Sequence, residues 1–333
     1  MHYKSIEDLN ADARELTHQD GVDFDAVVGI PRSGLLAANL VCLHDDVPMT
    51  DVDGLCNQRL LATGRRIDED GSFDDVDSVL VLDDSVLSGT QMTETRQRIE
   101  RQDFPFEIEY AAIYISPWGH KYVDHWSRVV PTPRTFEWNV MHHPLLENAC
   151  VDIDGVLCRD PTPNENDDGD RYREFLTGVE PNVVPNKRIA HLVTARLEKY
   201  RHETEAWLDK HGIEYETLTM MDLPTMEARR ELGTHAEFKS KVYKSTDTVL
   251  FIESNQTQAA EIRQRTGKPV LCYETNQLLQ PGLKDRVYNN TAGSVSEFKN
   301  APLTFLAEES LSLGYRGIHA ARQKVQNLTG SGK

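Results

Sequence analysis

Short apolar runs recur along the whole chain, and between them lie stretches whose apolar positions return every three or four residues. The runs suit strands buried on both faces of a parallel sheet, and the intervening periodicity suits amphipathic helices. In the front half Asp25–Ile30 reads as a buried strand with Ser33–His44 as the helix behind it. Val47–Val52, Val79–Asp83 and Ile108–Ile115 read as further strands, and Thr90–Gln102 as a helix. Asn57–Ser78, rich in Arg, Asp and Gly, has little periodicity and predicts a loop or loose hairpin. A second series follows the proline-punctuated stretch Pro131–Pro144, with strands at Ala149–Ile153, Ile189–Val193, Tyr215–Thr219, Val249–Ile252 and Pro269–Cys272 and helices at Glu198–His211 and Gln256–Thr266. This alternation predicts an α/β protein of two doubly wound parallel-sheet domains. The polar, acidic residues Arg159–Lys187 read as an insertion over a site rather than as core.

Length agrees with this division, since 333 residues exceed what one core of ordinary size uses. The boundary is expected near residues 140–148, giving domains over 1–140 and 141–300 and a C-terminal helical segment with a disordered tail over 301–333. No apolar run approaches the roughly 18 residues of a membrane span, and Met1–Asn10 carries Lys4, Glu7 and Asp8 rather than the apolar core of a signal peptide. Five scattered cysteines without Cys-x-x-Cys spacing fit reduced thiols in a cytoplasmic protein better than disulfides or zinc. The formal charge of −18 opposes non-specific nucleic-acid binding, yet a local helix N-terminus and a few arginines can still hold a small anion. Salt adaptation is an equal source of such acidity. Homo-oligomerisation is left open.

The front half carries its chemistry in VLVLDDSVLSGT, Val79–Thr90. A buried strand delivers Asp83 and Asp84, and the loop Ser85–Gly89 leads into a helix at Thr90, so that Ser85, Ser88, Gly89 and Thr90 can turn N–H and hydroxyl groups to a phosphate. The two carboxylates can accept from vicinal ribose hydroxyls or hold Mg²⁺ beside a pyrophosphate. The segment resembles the PRPP-binding signature of type I phosphoribosyltransferases. VVGIPRSGL, Val27–Leu35, resembles that family's pyrophosphate loop, with Arg32, Ser33 and Gly34 at the anion. The resemblance covers roughly Val22 to Trp138 and implies displacement at ribose C1 of PRPP by a nucleobase-like acceptor. Arg65 and Arg66 lie where the family keeps its closing loop; a solvated basic loop is an equal reading. Ser116–Gly119 and Phe136–Trp138 match the base-binding hood in placement, but Ser116 stands where a lysine is expected, with Lys121 nearby. Trp118 and Trp138 are read first as core or interface aromatics.

In the back half ACVDIDGVLC, Ala149–Cys158, brings Asp152 and Asp154 to a strand end, on one face by the two-residue period. One carboxylate can attack phosphorus while the other serves the leaving oxygen and then water. The motif resembles motif I of the haloacid dehalogenase superfamily in its phosphatase form. IAHLVTAR, Ile189–Arg196, is similar to motif II with Thr194 as its hydroxyl; Lys239, or Lys241, matches the motif III lysine; and VLFIESN, Val249–Asn255, matches motif IV with Glu253 followed by Ser254 where a second acid is usual. The resemblance, over about Asn148 to Tyr273, implies catalysis by Asp152, Asp154, Thr194 and Lys239 and a Mg²⁺ held by Asp152, Asp154 and Glu253. Both halves resemble Rossmann-like folds, and the gaps between the back-half motifs leave room for only a minimal cap.

The combined expectation is a Mg²⁺-dependent enzyme of nucleotide metabolism. It would transfer phosphoribose from PRPP to a base and hydrolyse a phosphomonoester through an aspartyl-phosphate. A phosphatase governed by a non-catalytic PRPP sensor and a phosphatase of nucleic-acid ends are the alternatives.

Overall fold

The computed structural model describes residues 1–61, 73–223 and 235–280. Arg65, Arg66 and the C-terminal segment 301–333 lie outside these residues. The chain divides into two compact units, one running from Met1 to Arg134 and the other starting at Thr135. Among the described residues no helix is long and apolar enough to cross a membrane.

The first unit opens with β1 (His2–Lys4) and α1 (Ile6–Thr17). Ser5 caps α1 by accepting the Asp8 N–H while Asp8 returns a bond to the Ser5 N–H. Sequence periodicity did not reveal this helix. It is anchored by a buried carboxylate, for Asp12 accepts from Lys4 at 2.8 Å and from Arg128 at 2.9 Å. The sheet that follows consists of β2 (Ala26–Gly29), β3 (Met49–Asp51), β4 (Ser78–Val86), β5 (Glu107–Ile115) and β6 (His125–Val129). Its order is β3-β2-β4-β5-β6, and every pair is parallel. Helices α2 (Gly34–Asp45), α3 (Val52–Cys56) and α4 (Thr90–Ile99) connect the strands. All four β2 residues are buried, as a parallel strand covered on both faces requires. The chain reverses its direction of travel across the sheet between β2 and β4, and the crevice beyond such neighbouring strand ends is where open α/β sheets place ligands.

After β7 (Arg134–Phe136), the second unit builds β8 (Ala149–Val151), β9 (Ile189–Leu197), β10 (Tyr215–Met221), β11 (Leu250–Glu253), β12 (Val270–Cys272) and β13 (Gln277–Leu279). Their order is β10-β9-β8-β11-β12-β13, parallel except for the antiparallel edge β13. Helices α5 (Asp170–Gly178), α6 (Arg201–Lys210), α7 (His235–Ser245) and α8 (Gln256–Thr266) complete the layers. Here the reversal falls between β8 and β11. Both units are therefore doubly wound, Rossmann-like α/β structures.

One expectation needs correcting. The segment Arg159–Lys187 is only partly an insertion, because α5 within it buries Tyr172, Phe175 and Leu176. Its other positions are polar, so the apolar side that joins the core is too narrow to stand out in the sequence.

Candidate functional site

Each unit gathers charged side chains at its reversal point. In the second unit Asp152 follows β8 directly and continues the ladder, its N–H donating to the Ile252 carbonyl at 3.0 Å. From α7 the Lys239 ammonium donates to Asp152 Oδ2 at 2.6 Å, to Glu253 Oε2 at 2.7 Å and to Gln258 Oε1 at 3.2 Å. Lys239 and both carboxylates are buried. The remaining oxygens are also engaged: Asp152 Oδ1 accepts the Ile153 N–H and Glu253 Oε1 the Asn255 N–H. Lys241 is mostly exposed and pairs with Glu237 one turn away. Of the two lysines proposed from sequence, Lys239 joins the cluster.

Asp154 is positioned differently from the expectation. The strand ends at Val151, and Asp154 lies in a turn closed by Gly155 at φ 79°, where an added Cβ would meet Ser254 Oγ at 2.3 Å. The turn, rather than strand alternation, aims its carboxylate at Arg196 on β9. Arg196 Nε donates to the two carboxylate oxygens at 3.2 and 3.1 Å, and Nη2 donates to Oδ1 at 2.7 Å. Sequence reasoning assigned Arg196 no role. Its signal was its place two residues beyond Thr194 on the same strand, hence on the same face. Thr194 itself is buried with its hydroxyl accepting the Arg196 N–H at 3.2 Å, and neighbouring Ala195 is what β9 contributes to the cavity wall.

A cavity of about 180 Å³ opens over this cluster, bounded by Asp152, Asp154, Lys239, Asp160, Asn166 and Tyr172 among others. Burial pushes the Asp152 carboxyl up, to about 8; Lys239 opposes that shift, while Glu253 and Asp154 add repulsion. Burial alone would lower the Lys239 ammonium, but Asp152 and Glu253 outweigh it and raise it. Three carboxylates, Asp152, Glu253 and Asp154, meet two cations, Lys239 and Arg196, at this cluster. Carboxylate oxygens are the kind of donor that a divalent cation such as Mg²⁺ takes. Asp152 and Glu253 are the two expected ligands that lie together, whereas Asp154 is turned to Arg196. Among the described residues no group of three or more His, Cys, Asp and Glu side chains is arranged to hold a metal ion. In this arrangement Lys239 and Arg196 occupy the carboxylates.

In the first unit β4 runs past the predicted end and carries Asp83, Asp84 and Ser85 inside the strand, with Asp83 beside Ala112 of β5. Both carboxylates are buried. Ser33 donates its hydroxyl to Asp84 Oδ1 at 2.8 Å, and the Asp84 N–H donates to Asp83 Oδ1 at 2.9 Å. Gly34 begins α2 so close to this strand that a Cβ would meet the Leu82 carbonyl at 2.9 Å. Burial, then the Asp84 charge, pushes the Asp83 carboxyl up to about 8. Buried Arg134, another residue the sequence reading passed over, is lowered to about 10 by burial against the charge of Asp84. Arg32 follows a cis Pro31–Arg32 peptide and is exposed. The loop residues Ser88 and Thr90 are exposed, their hydroxyl oxygens 3.0 Å apart, and Gly89 between them has φ 78°. Trp118 is 69 % exposed, which excludes a core role, and the Ser116 hydroxyl is committed to the Leu87 carbonyl at 2.9 Å.

A scan against protein-family models finds no match, and a search of curated proteins finds none either. Solved structures do resemble part of the chain. The Helicobacter pylori xanthine-guanine-hypoxanthine phosphoribosyltransferase is similar over 42 % of this chain and 93 % of its own, at 20 % identity and a TM-score of 0.32. A purine phosphoribosyltransferase from Pyrococcus horikoshii is similar over 41 % of this chain and 94 % of its own, at 19 % identity and a TM-score of 0.29. A Neisseria gonorrhoeae protein with bound ppGpp is similar over 42 % and 90 %, at 15 % identity and a TM-score of 0.30. These are likenesses of fold over about two-fifths of the chain.

Proposed function

We propose that the chain is a two-site enzyme of phosphorylated nucleotide metabolites. The second unit would hydrolyse a phosphomonoester with Mg²⁺, and the first would bind PRPP and transfer its phosphoribosyl group to a base. The observation that carries the hydrolase reading is the Lys239 ammonium joining Asp152 and Glu253 beneath a cavity at the sheet reversal. Asp152 Oδ would form a bond to phosphorus as the ester P–O bond breaks, and the departing oxygen would take a proton from Asp154. Water would then attack the aspartyl-phosphate and pass a proton to Asp154 as phosphate leaves and the Asp152 carboxylate is restored. For the first proton transfer Asp154 must enter the step protonated, with one oxygen released from Arg196, and the proton taken later from water returns it to that form. Lys239 holds the nucleophile in place and offsets negative charge. A Mg²⁺ held by Asp152 and Glu253 would supply positive charge and polarise a phosphoryl oxygen.

The first unit supports the transferase reading through Asp83 and Asp84 beside the N-terminus of α2, a place where helix N–H groups can receive an anion. Arg32, Ser33 and Gly34 would take pyrophosphate, and Ser85 near the end of β4 with Ser88, Gly89 and Thr90 would take the 5′-phosphate. Incubation with Mg²⁺ and a panel of mono-, di- and polynucleotide phosphoesters tests the hydrolase: phosphate release is expected, and its absence for all substrates would reject it. Pyrophosphate release from PRPP with a panel of bases tests the transferase in the same way.

A further inference from the structure

Asp154 lines the cavity of the second unit, yet it sits in a turn beyond the end of β8 rather than on a strand. Proton transfer needs its carboxylate held to within about 0.5 Å, which takes support from outside the turn. Arg196 is the group in place. Its side chain is wholly buried, and Asp154 is its one carboxylate partner among the described residues. The hold is uneven. Oδ1 receives Nη2 at 2.7 Å and Nε at 3.2 Å, with the Cys158 thiol 3.7 Å away, whereas Oδ2 receives only the shared Nε at 3.1 Å. Arg196 is itself fixed from behind. Its backbone N–H donates to Thr194 Oγ1 at 3.2 Å, Nη1 reaches Thr204 Oγ1 at 3.4 Å, and Nη2 reaches the Cys158 sulfur at 3.3 Å. The guanidinium also lies 6.0 Å from the centre of the Trp207 ring, and Thr204 and Trp207 are buried residues of α6. Stability alone gives little reason for such a pair, because a buried ion pair is often no better than apolar side chains of the same volume. Its place beside the cavity gives another.

We infer that Arg196 is a positioning residue for hydrolysis in the second unit: it anchors Asp154 by Oδ1 and leaves Oδ2 as the oxygen that gives a proton to the leaving group and later takes one from water. The role rests on the hydrolase reading proposed above. Oδ2, with the weaker hold, is the oxygen released for the first transfer. Arg196 has no exposed surface with which to meet a substrate, so it acts only through Asp154. The planar fork spans the carboxylate, which the single ammonium of a lysine does not do.

Two esters of similar size test it on the full chain. The leaving oxygen of 4-nitrophenyl phosphate departs as a stable anion, whereas that of benzyl phosphate needs a proton. In Arg196→Met, kcat/KM for benzyl phosphate should fall about 10²-fold or more, and that for 4-nitrophenyl phosphate by less than about fivefold. These values read formation of the aspartyl-phosphate. The later attack of water also needs Asp154, so in this variant 4-nitrophenol should appear as a burst of about one per active site. A merely structural role would lower both esters alike. Arg196→Lys keeps the charge and covers the case in which Arg196→Met does not fold; it should shift the ratio in the same direction. Adding Arg196→Met to Asp154→Asn should cost less than about threefold more, because the group it acts through is already disabled. Wild type that cleaves neither ester removes the hydrolase reading, and this role with it. Wild type that cleaves only 4-nitrophenyl phosphate, equal losses on the two esters, or losses that multiply in the double variant would overturn the role and leave the hydrolase reading standing.

Discussion

Arg196 is wholly buried and lays its guanidinium along both oxygens of Asp154, whose side chain remains 19 % exposed. This difference in exposure predicts an asymmetry. Removing Asp154 strands a cation that has no water, whereas removing Arg196 leaves a carboxylate that water can reach. Asp154→Ala should therefore lower stability by about 3–5 kcal/mol and Arg196→Met by clearly less. Urea denaturation of the two variants reads the order directly, and the reverse order would refute the account.

Lys239 separates two buried carboxylates, so its loss should hurt most where both are ionised. In Lys239→Met the pair can relieve its repulsion only by taking up protons, which becomes easier as pH falls. The expected loss is several kcal/mol at pH 8 and distinctly less at pH 5. Thermal melts at the two pH values measure the difference.

Asp83 has a folded-state pKa of about 8, above the ordinary carboxylate value, because burial and Asp84 disfavour its charge. A carboxyl raised in this way favours folding below its unfolded pKa, and that contribution is lost as pH rises toward 8. Asp83→Asn keeps an acceptor for the Asp84 N–H and removes the charge. It should gain about 1 kcal/mol or more above pH 8, a few degrees in Tm, with little change near pH 4. PRPP binding should fall in the same variant, measured by titration calorimetry.

Gly89 opens α4 at φ 78°, and a Cβ there would overlap the Tyr122 ring at 2.3 Å. Gly89→Ala should cost at least about 1 kcal/mol and displace the Ser88–Thr90 loop. A tenfold or greater loss of PRPP affinity is expected, against unchanged phosphatase activity in the second unit.

Asp152→Asn should reduce phosphoester hydrolysis by at least about 10³-fold, since an amide cannot form the acyl phosphate. A radiolabelled phosphoryl group should no longer appear on the protein. Retained turnover would show that the nucleophile lies elsewhere.

Much of the architecture was legible because burial in a parallel sheet writes itself as unbroken apolar runs. Val79–Leu82, Ala149–Val151 and Phe251–Ile252 are such runs, and each is a buried strand. The acidic residues after them were legible for the same reason, since each terminates or interrupts an apolar stretch. Helix α1 was missed despite the Ser5–Asp8 capping box, and α5 because its buried residues are few among polar ones.

Local order along the chain thus determined the central strands, though not β6 or the edge strand β13, together with the two-unit plan and the carboxylates at Asp83, Asp84, Asp152 and Asp154, because each depends on neighbours a few residues away. Which cation meets which carboxylate was decided only by the tertiary fold. Lys239 reaches Asp152 across 87 positions and Arg196 reaches Asp154 across 42. Lys239 and Lys241 are equally basic in sequence; one is buried among acids and the other stands in water. Helix rotation and sheet order set that distinction, because they alone choose which side chain loses its water and must find an opposite charge.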